Sequence, residues 1–415
     1  MRPVVIMLTI ALALLVNPGA ARAETIDFSG RILHPDRAGH VERLSGDAAA
    51  GLAKLQRDRA FRGLAGRDSN GYDFQTLTVD MTIDPVAGTV NCTSVLELLV
   101  TASGQKDFYF YFDPFDEFSV SDESGPLPTQ YYGSFGAVRV HYFDAPEQGE
   151  ALELTFTNTG VPPCEPDPFF GMLFCMLTPE LFYNIASYFA PGVVAFEEDD
   201  RDDTYHVDAS MTIPVGYEVA ASLDPVETVD NGDGTETRTF TRFIPVASPF
   251  SFSAAPYDVL TTETADGVDL TMFTIPGANE HAQAYLDAST AVMELYWDTY
   301  RPYLFSKHHL AQAAQELGGG VAAASATFYY LGSILYDPSL YYTESIFAHE
   351  IGHQWWGHMI PIKDFYAPWL NEGLTQFSAY FFGEQIEGAS SIAWEMNYYG
   401  QYYDYYVVRA HPEWD

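Results

Sequence analysis

Two short stretches hold most of this chain's candidate chemistry: His349, Glu350 and His353 fall in "HEIGH", and Glu372 follows in "WLNEG". Histidines four apart on a helix point their imidazoles the same way, which is the spacing two ligands of one metal need. Glu350, one residue past the first of them, is turned about 100° around such a helix, so it borders a metal without ligating it and can accept a proton from water. A catalytic zinc takes three protein ligands and leaves a fourth position open. Eighteen residues separate His353 from Glu372, and Pro361 and Pro368 give the chain room to reverse into a second helix, "WLNEGLTQFSAYFF". The spacing therefore predicts one Zn2+ per chain held by His349, His353 and Glu372, with Glu350 as general base. The competing reading is a pair of buried, hydrogen-bonded histidines on an aromatic helix, and the correctly spaced Glu372 argues against it. His358 and the pair His308-His309 lack that spacing and read as structural or exposed.

Several elements must carry this constellation. "TESIFAHEIGHQWWGHMI" contains no proline before Pro361 and predicts one helix. Upstream, Tyr285, Leu286, Ser289, Val292, Met293 and Tyr296 recur with helical period, predicting an amphipathic helix that ends before Pro302. Between the two lie a strand-like "HHLAQAA", a turn at "GGG" (318–320) and a strand at "ATFYYLG". From Tyr72 onward "FQTLTVDMTI", "SVLELLVTA", "DFYFYF", "AVRVHYF" and "ALELTFTN" alternate apolar and polar residues, the pattern of an antiparallel β-domain. "YHVDASMTI" and "YEVAASL" continue it to a hairpin turn at Asn231-Gly232-Asp233-Gly234. The run "EEDDRDD" at 197–203 reads as a solvated acidic loop.

A chain of 415 residues is long enough for two or more domains. Its 57 acidic residues against 19 Lys+Arg give a formal charge of −38, which repels a phosphate backbone or an anionic membrane surface. Nucleic acid is thereby excluded as an expected partner. At the start, Arg2 precedes an apolar run from Val4 to Val16, followed by Pro18-Gly19 and Ala21-Arg22-Ala23. That is the layout of a signal peptide spanning 1–23, so an exported product, periplasmic or extracellular and free of the membrane after cleavage, is expected. Residues 24–70 read as a leader with a short helix from Asp47 to Ala65. In an oxidising compartment Cys164 and Cys175 are expected to pair, leaving Cys92 free.

"HEIGHQWWG" followed by "WLNEGLTQF" resembles the aminopeptidase N family of zinc metallopeptidases, the gluzincins, whose third ligand is a Glu in a "NEG" setting. "VDASMTIPVGYEVAAS" (207–222) and "YRPYLFSKHHLAQ" (300–312) extend the likeness more weakly. The resemblance implies an α+β multidomain protein: a β-sandwich or saddle domain at 71–258, then a thermolysin-like α/β catalytic domain at 259–415 that is incomplete at its C-terminal end. It also implies hydrolysis of peptide substrates by a zinc-activated water, with Glu350 taking the proton. Two family features depart. The G-x-M-E-N strand that binds a substrate's free amino terminus corresponds here to "GGGVAAASATFYY" (318–330), and the oxyanion-stabilising Tyr has no counterpart before Asp415, although Tyr398–Tyr406 is Tyr-rich. The runner-up reading is accordingly a binding or scaffold protein that keeps the fold with little turnover.

Overall fold

The computed structural model describes residues 71–133, 136–164, 174–185, 189–193, 204–242, 244, 250–277, 281–300, 302–313, 320–329, 341–360 and 368–387. The expected signal peptide, the leader with its helix, the acidic run 197–203 and the Tyr-rich segment 398–406 lie outside them. The described protein is mostly β-sheet with few helices.

The alternating segments from Tyr72 form three sheets. The largest has eight strands in the order Asp224–Asp230, Thr235–Thr241, His206–Pro214, Tyr72–Asp84, Thr89–Val100, Ala151–Gly160, Glu117–Asp122, Gly125–Pro126. One neighbour relation corrects the antiparallel expectation: Tyr72–Asp84 and His206–Pro214 run parallel, Leu77 opposite Val207 and Met81 opposite Met211. Period-two patterning reports which face is buried and carries no information on strand direction, so this pairing was invisible in the sequence. The inward-facing residues Leu77, Val79, Met81, Leu96, Leu98, Leu154 and Phe156 share a core with Phe108 and Phe110, which come from a separate four-stranded sheet, and with Phe112 just beyond that strand. Phe110 meets Phe156 edge-on with ring centres 5.3 Å apart, a favoured aromatic arrangement. Cys164 and Cys175 form the expected disulfide. Cys92 is free and buried.

The site rests on a different sheet, ordered Asp258–Glu263, Asp269–Thr274, Lys307–Gln312, Ala326–Tyr329, Gly320–Ala323. Three helices accompany it: α1 (Ala282–Thr299), α2 (Tyr341–Gly352) and α3 (Pro368–Glu387). One face of the sheet, through Leu270, Met272, Leu310 and Tyr329, joins a core with Tyr285, Leu286, Val292 and Met293 of α1 and Ile346, Phe347 and Ile351 of α2. The other face, through Phe273, Ala311, Val321, Ala323 and Phe328, packs on Tyr183, Ala220 and Ala255 of the four-stranded sheet Glu218–Ala221, Phe252–Ala255, Phe182–Asn184, Cys175–Leu177. Covering on both sides explains why every residue of the strand Lys307–Gln312 is buried, charged ones included.

Of the expected turn at "GGG", Gly318 and Gly319 lie outside the described residues and Gly320 begins the strand Gly320–Ala323; a further reversal, not expected, runs through Ala324 and Ser325, with Ser325 at φ 59°. Gln354 makes that turn tenable: its Oε1 accepts from the Ser325 N–H at 2.8 Å and its Nε2 donates to the Ala323 carbonyl at 3.0 Å. No described helix is long and apolar enough to cross a membrane.

Candidate metal centre

Helix α2 is held rigidly on its buried side. Phe347 is stacked between Tyr285, 4.9 Å away, and Tyr329, 4.2 Å away. The Tyr296 hydroxyl donates to the Ala348 carbonyl at 3.1 Å. With Ile346, Phe347 and Ile351 committed to the core, His349 and Glu350 fall on the side of the helix that meets α3 and the edge strand.

The helix is shorter than expected. It ends at Gly352, and the residues after it turn through i→i−3 bonds, Gln354 N–H to Ile351 and Trp355 N–H to Gly352. The spacing argument survives because the His353 N–H still donates to the His349 carbonyl, at 3.3 Å, closing one last α-turn. Gly352 also lets α3 come close: a Cβ there would stand 3.1 Å from Thr375 Cγ2. That approach brings Glu372 across from the histidines.

The three expected ligands meet. His349 Nε2 lies 3.2 Å from His353 Nε2, and Glu372 Oε2 lies 3.5 Å from the first and 3.7 Å from the second. All three ligand atoms fall within 4.8 Å of one another. Three donors about 2.0–2.1 Å from one tetrahedral ion stand about 3.4 Å apart, so the observed triangle fits a zinc-sized cation with almost no movement. Burial alone pushes the Glu372 carboxyl up, but the charge of His353 and the hydrogen bond and charge of His349 together outweigh it and hold the group below its ordinary value. Glu350 is buried against the edge strand, its Cγ 2.6 Å from where a Cβ on Gly320 would be.

Behind the ligand atoms a ring of acceptors fixes the imidazoles. His349 Nδ1 faces Gln376 Oε1 at 3.1 Å, and His353 Nδ1 faces Asn371 Oδ1 at 3.1 Å, Thr375 Oγ1 at 3.2 Å and the Trp356 carbonyl at 3.3 Å. Acceptors at Nδ1 favour a proton there and leave the Nε2 lone pairs for a metal. The sequence reading did not single out these residues. Helical spacing could have found Gln376, which lies four residues after Glu372 and on its face.

Of the two readings expected for His308 and His309, the structural one holds. His308 sits between the Tyr303 hydroxyl at 3.1 Å and Thr327 Oγ1 at 3.2 Å, and His309 Nδ1 accepts from the Ala221 N–H at 3.0 Å. Burial, helped by the Lys307 charge, drops His308 to about 3 and His309 well below the usual range, so both are neutral. His358 is likewise lowered to about 3, chiefly by burial.

Residues 284–410 match the model of the Peptidase family M1 domain. That segment includes α2, α3 and all four residues of the centre. The chain is 28% identical over 134 residues to endoplasmic reticulum aminopeptidase 1 of Mus musculus, which takes in 31% of this chain and 14% of that protein. It is 26% identical over 192 residues to glutamyl aminopeptidase of Sus scrofa (44% and 20%) and 22% identical over 184 residues to puromycin-sensitive aminopeptidase of Caenorhabditis elegans (42% and 19%). Each match therefore spans a fifth or less of the relative's length.

Proposed function

We propose that the chain is a zinc metallopeptidase, aminopeptidase-like, that hydrolyses peptide bonds with Glu350 as general base. The observation that carries this reading is the convergence of His349 Nε2, His353 Nε2 and Glu372 Oε2 within a segment that matches the M1 domain. When bound, Zn2+ supplies Lewis acidity that acidifies a water and polarises the scissile carbonyl. His349, His353 and Glu372 hold the ion, and Glu350, beside them and not among them, takes the proton of the attacking water and returns it to the leaving amine. The main chain of the edge strand Gly320–Ala323 receives the peptide as an added strand, and its small residues leave room for that approach.

On this proposal the chain divides into a β-domain at 71–258 and a thermolysin-like α/β domain at 259–415, with Asp258–Glu263 as the first strand in sequence of the five-stranded sheet. Export to the periplasm or outside the cell is part of the same reading, supported by the apolar N-terminal run and by the Cys164–Cys175 disulfide.

The test is metal content together with cleavage of peptides whose amino termini are free or blocked. Wild type is expected to hold one zinc per chain. Glu350→Gln keeps the zinc and loses about 10²–10⁴-fold in turnover, the usual scale for a general base, whereas His349→Ala loses the metal. Turnover surviving in Glu350→Gln overturns the mechanism, and a wild-type protein that takes up no zinc overturns the metal centre. Cleavage confined to blocked peptides would make the enzyme an endopeptidase.

A further inference from the structure

We infer that Gln376 is a positioning residue for the metal centre, setting the tautomer and ring orientation of His349; this rests on the zinc reading above. Among the described residues, Gln376 Oε1 is the one hydrogen-bond partner of His349 Nδ1, at 3.1 Å. An amide oxygen only accepts, so His349 must donate from Nδ1. A neutral imidazole has one ring proton, and with it on Nδ1 the lone pair sits on Nε2, the atom 3.2 Å from His353 Nε2 and 3.5 Å from Glu372 Oε2. The opposite tautomer directs an N–H into the triangle and cannot ligate there.

Two further observations make the amide more than a core filler. The Gln376 side chain is buried, and its Nε2 has no hydrogen-bond partner among the described residues. A buried donor left unmade is costly, and a Leu or Met of similar size avoids that cost, so packing alone does not account for a glutamine here. The two histidines are also supported unequally: His353 Nδ1 has three oxygen neighbours within 3.3 Å, which can substitute for one another, while His349 depends on one. Four residues apart on α3, Glu372 and Gln376 form one unit that supplies both a ligand and the anchor of a second ligand.

The experiment compares zinc affinity, by competition with a chromophoric chelator, and the visible spectrum of the cobalt-loaded protein for wild type, Gln376→Leu, Gln376→Met, Gln376→Glu and His349→Ala. Melting of the metal-stripped proteins is followed by circular dichroism. Gln376→Leu and Gln376→Met are expected to melt no lower than wild type yet bind zinc about 10–100-fold more weakly, with an altered cobalt spectrum. Gln376→Glu, which keeps an acceptor oxygen facing Nδ1, is expected to restore wild-type affinity and spectrum. Should Leu and Met bind zinc as wild type does, or Glu bind as weakly as they do, the positioning role is overturned while the metal centre stands. If wild type and His349→Ala bind zinc alike, the metal centre itself falls and the role of Gln376 with it; a Leu variant that does not fold leaves the Met and Glu variants to decide.

Discussion

Gly320→Ala is the sharpest test of how the edge strand and the base are fitted together. A Cβ on residue 320 would lie 2.6 Å from Glu350 Cγ, 2.8 Å from Cδ and 3.0 Å from Oε1. Carbon atoms settle about 3.5–4.0 Å apart, so either the strand or the Glu350 side chain must withdraw by about 1 Å. The strand is tied through its whole length to Ala326–Tyr329 and through Ala323 to Gln354, which leaves the carboxylate as the softer partner. A displacement of about 1 Å at a reacting group costs on the order of 10²-fold in rate, while overpacking of this kind costs about 1–3 kcal/mol of stability. The metal ligands are untouched. The expected result is therefore a fall of about 10²-fold in peptide turnover, a small drop in melting temperature and an unchanged zinc content. Turnover, calorimetry and metal analysis on the same preparation read all three. A Gly320→Ala enzyme with turnover near wild type would refute the reasoning, because Glu350 would then have tolerated the methyl group without losing its place.

Lys307 is buried, with its Nζ donating to the Ala221 and Ser325 carbonyls, and burial drops its pKa from 10.5 to about 7 despite the opposing charge of Asp224. Between those values the unfolded chain holds a proton the folded protein has released, so wild-type stability relative to Lys307→Met should rise with pH from about 7 toward 10.5 and be flat below 7. Denaturant titrations across that range check it, and a difference that falls with pH contradicts it. Cys92 is buried with its thiol pushed up to about 12, so iodoacetamide should leave it unmodified in the native protein at mildly alkaline pH and alkylate it in denaturant. Rapid labelling of the folded protein counts against that burial.

The centre was more legible than the frame around it. His349, His353 and Glu372 could be read because each requirement is local: an i,i+4 pair on one helix and a carboxylate on the next, with prolines between. The helix terminus could not, because "GHQWWGH" offers no proline; the chain leaves α-geometry at Gly352, where α3 packs so close that a Cβ would stand 3.1 Å from Thr375 Cγ2. The parallel pairing of Tyr72–Asp84 with His206–Pro214, more than a hundred residues apart, is likewise a tertiary fact that alternation cannot encode. The turn at Ala324-Ser325 was hidden for a similar reason. No glycine or proline marks it, and Gln354 satisfies the tight reversal from outside the strand pair.

Gln354 also shows why ligand spacing alone does not make a metal site. It follows His353 directly, on the turn that ends α2, and its two amide bonds fasten that turn to the edge hairpin. Tyr296 fastens the preceding turn at Ala348, and α3 closes the third side through Asn371, Thr375 and Gln376. Both histidine ligands are thus held by an element other than their own helix, which is the condition for a rigidly positioned ligand set. It follows that stripping the metal should leave the backbone of α2 and α3 nearly in place, with circular dichroism unchanged and only a modest loss of melting temperature. A metal-free protein that melts α2 would mean the ion organises the site, and the placing of the ligands could no longer be credited to packing.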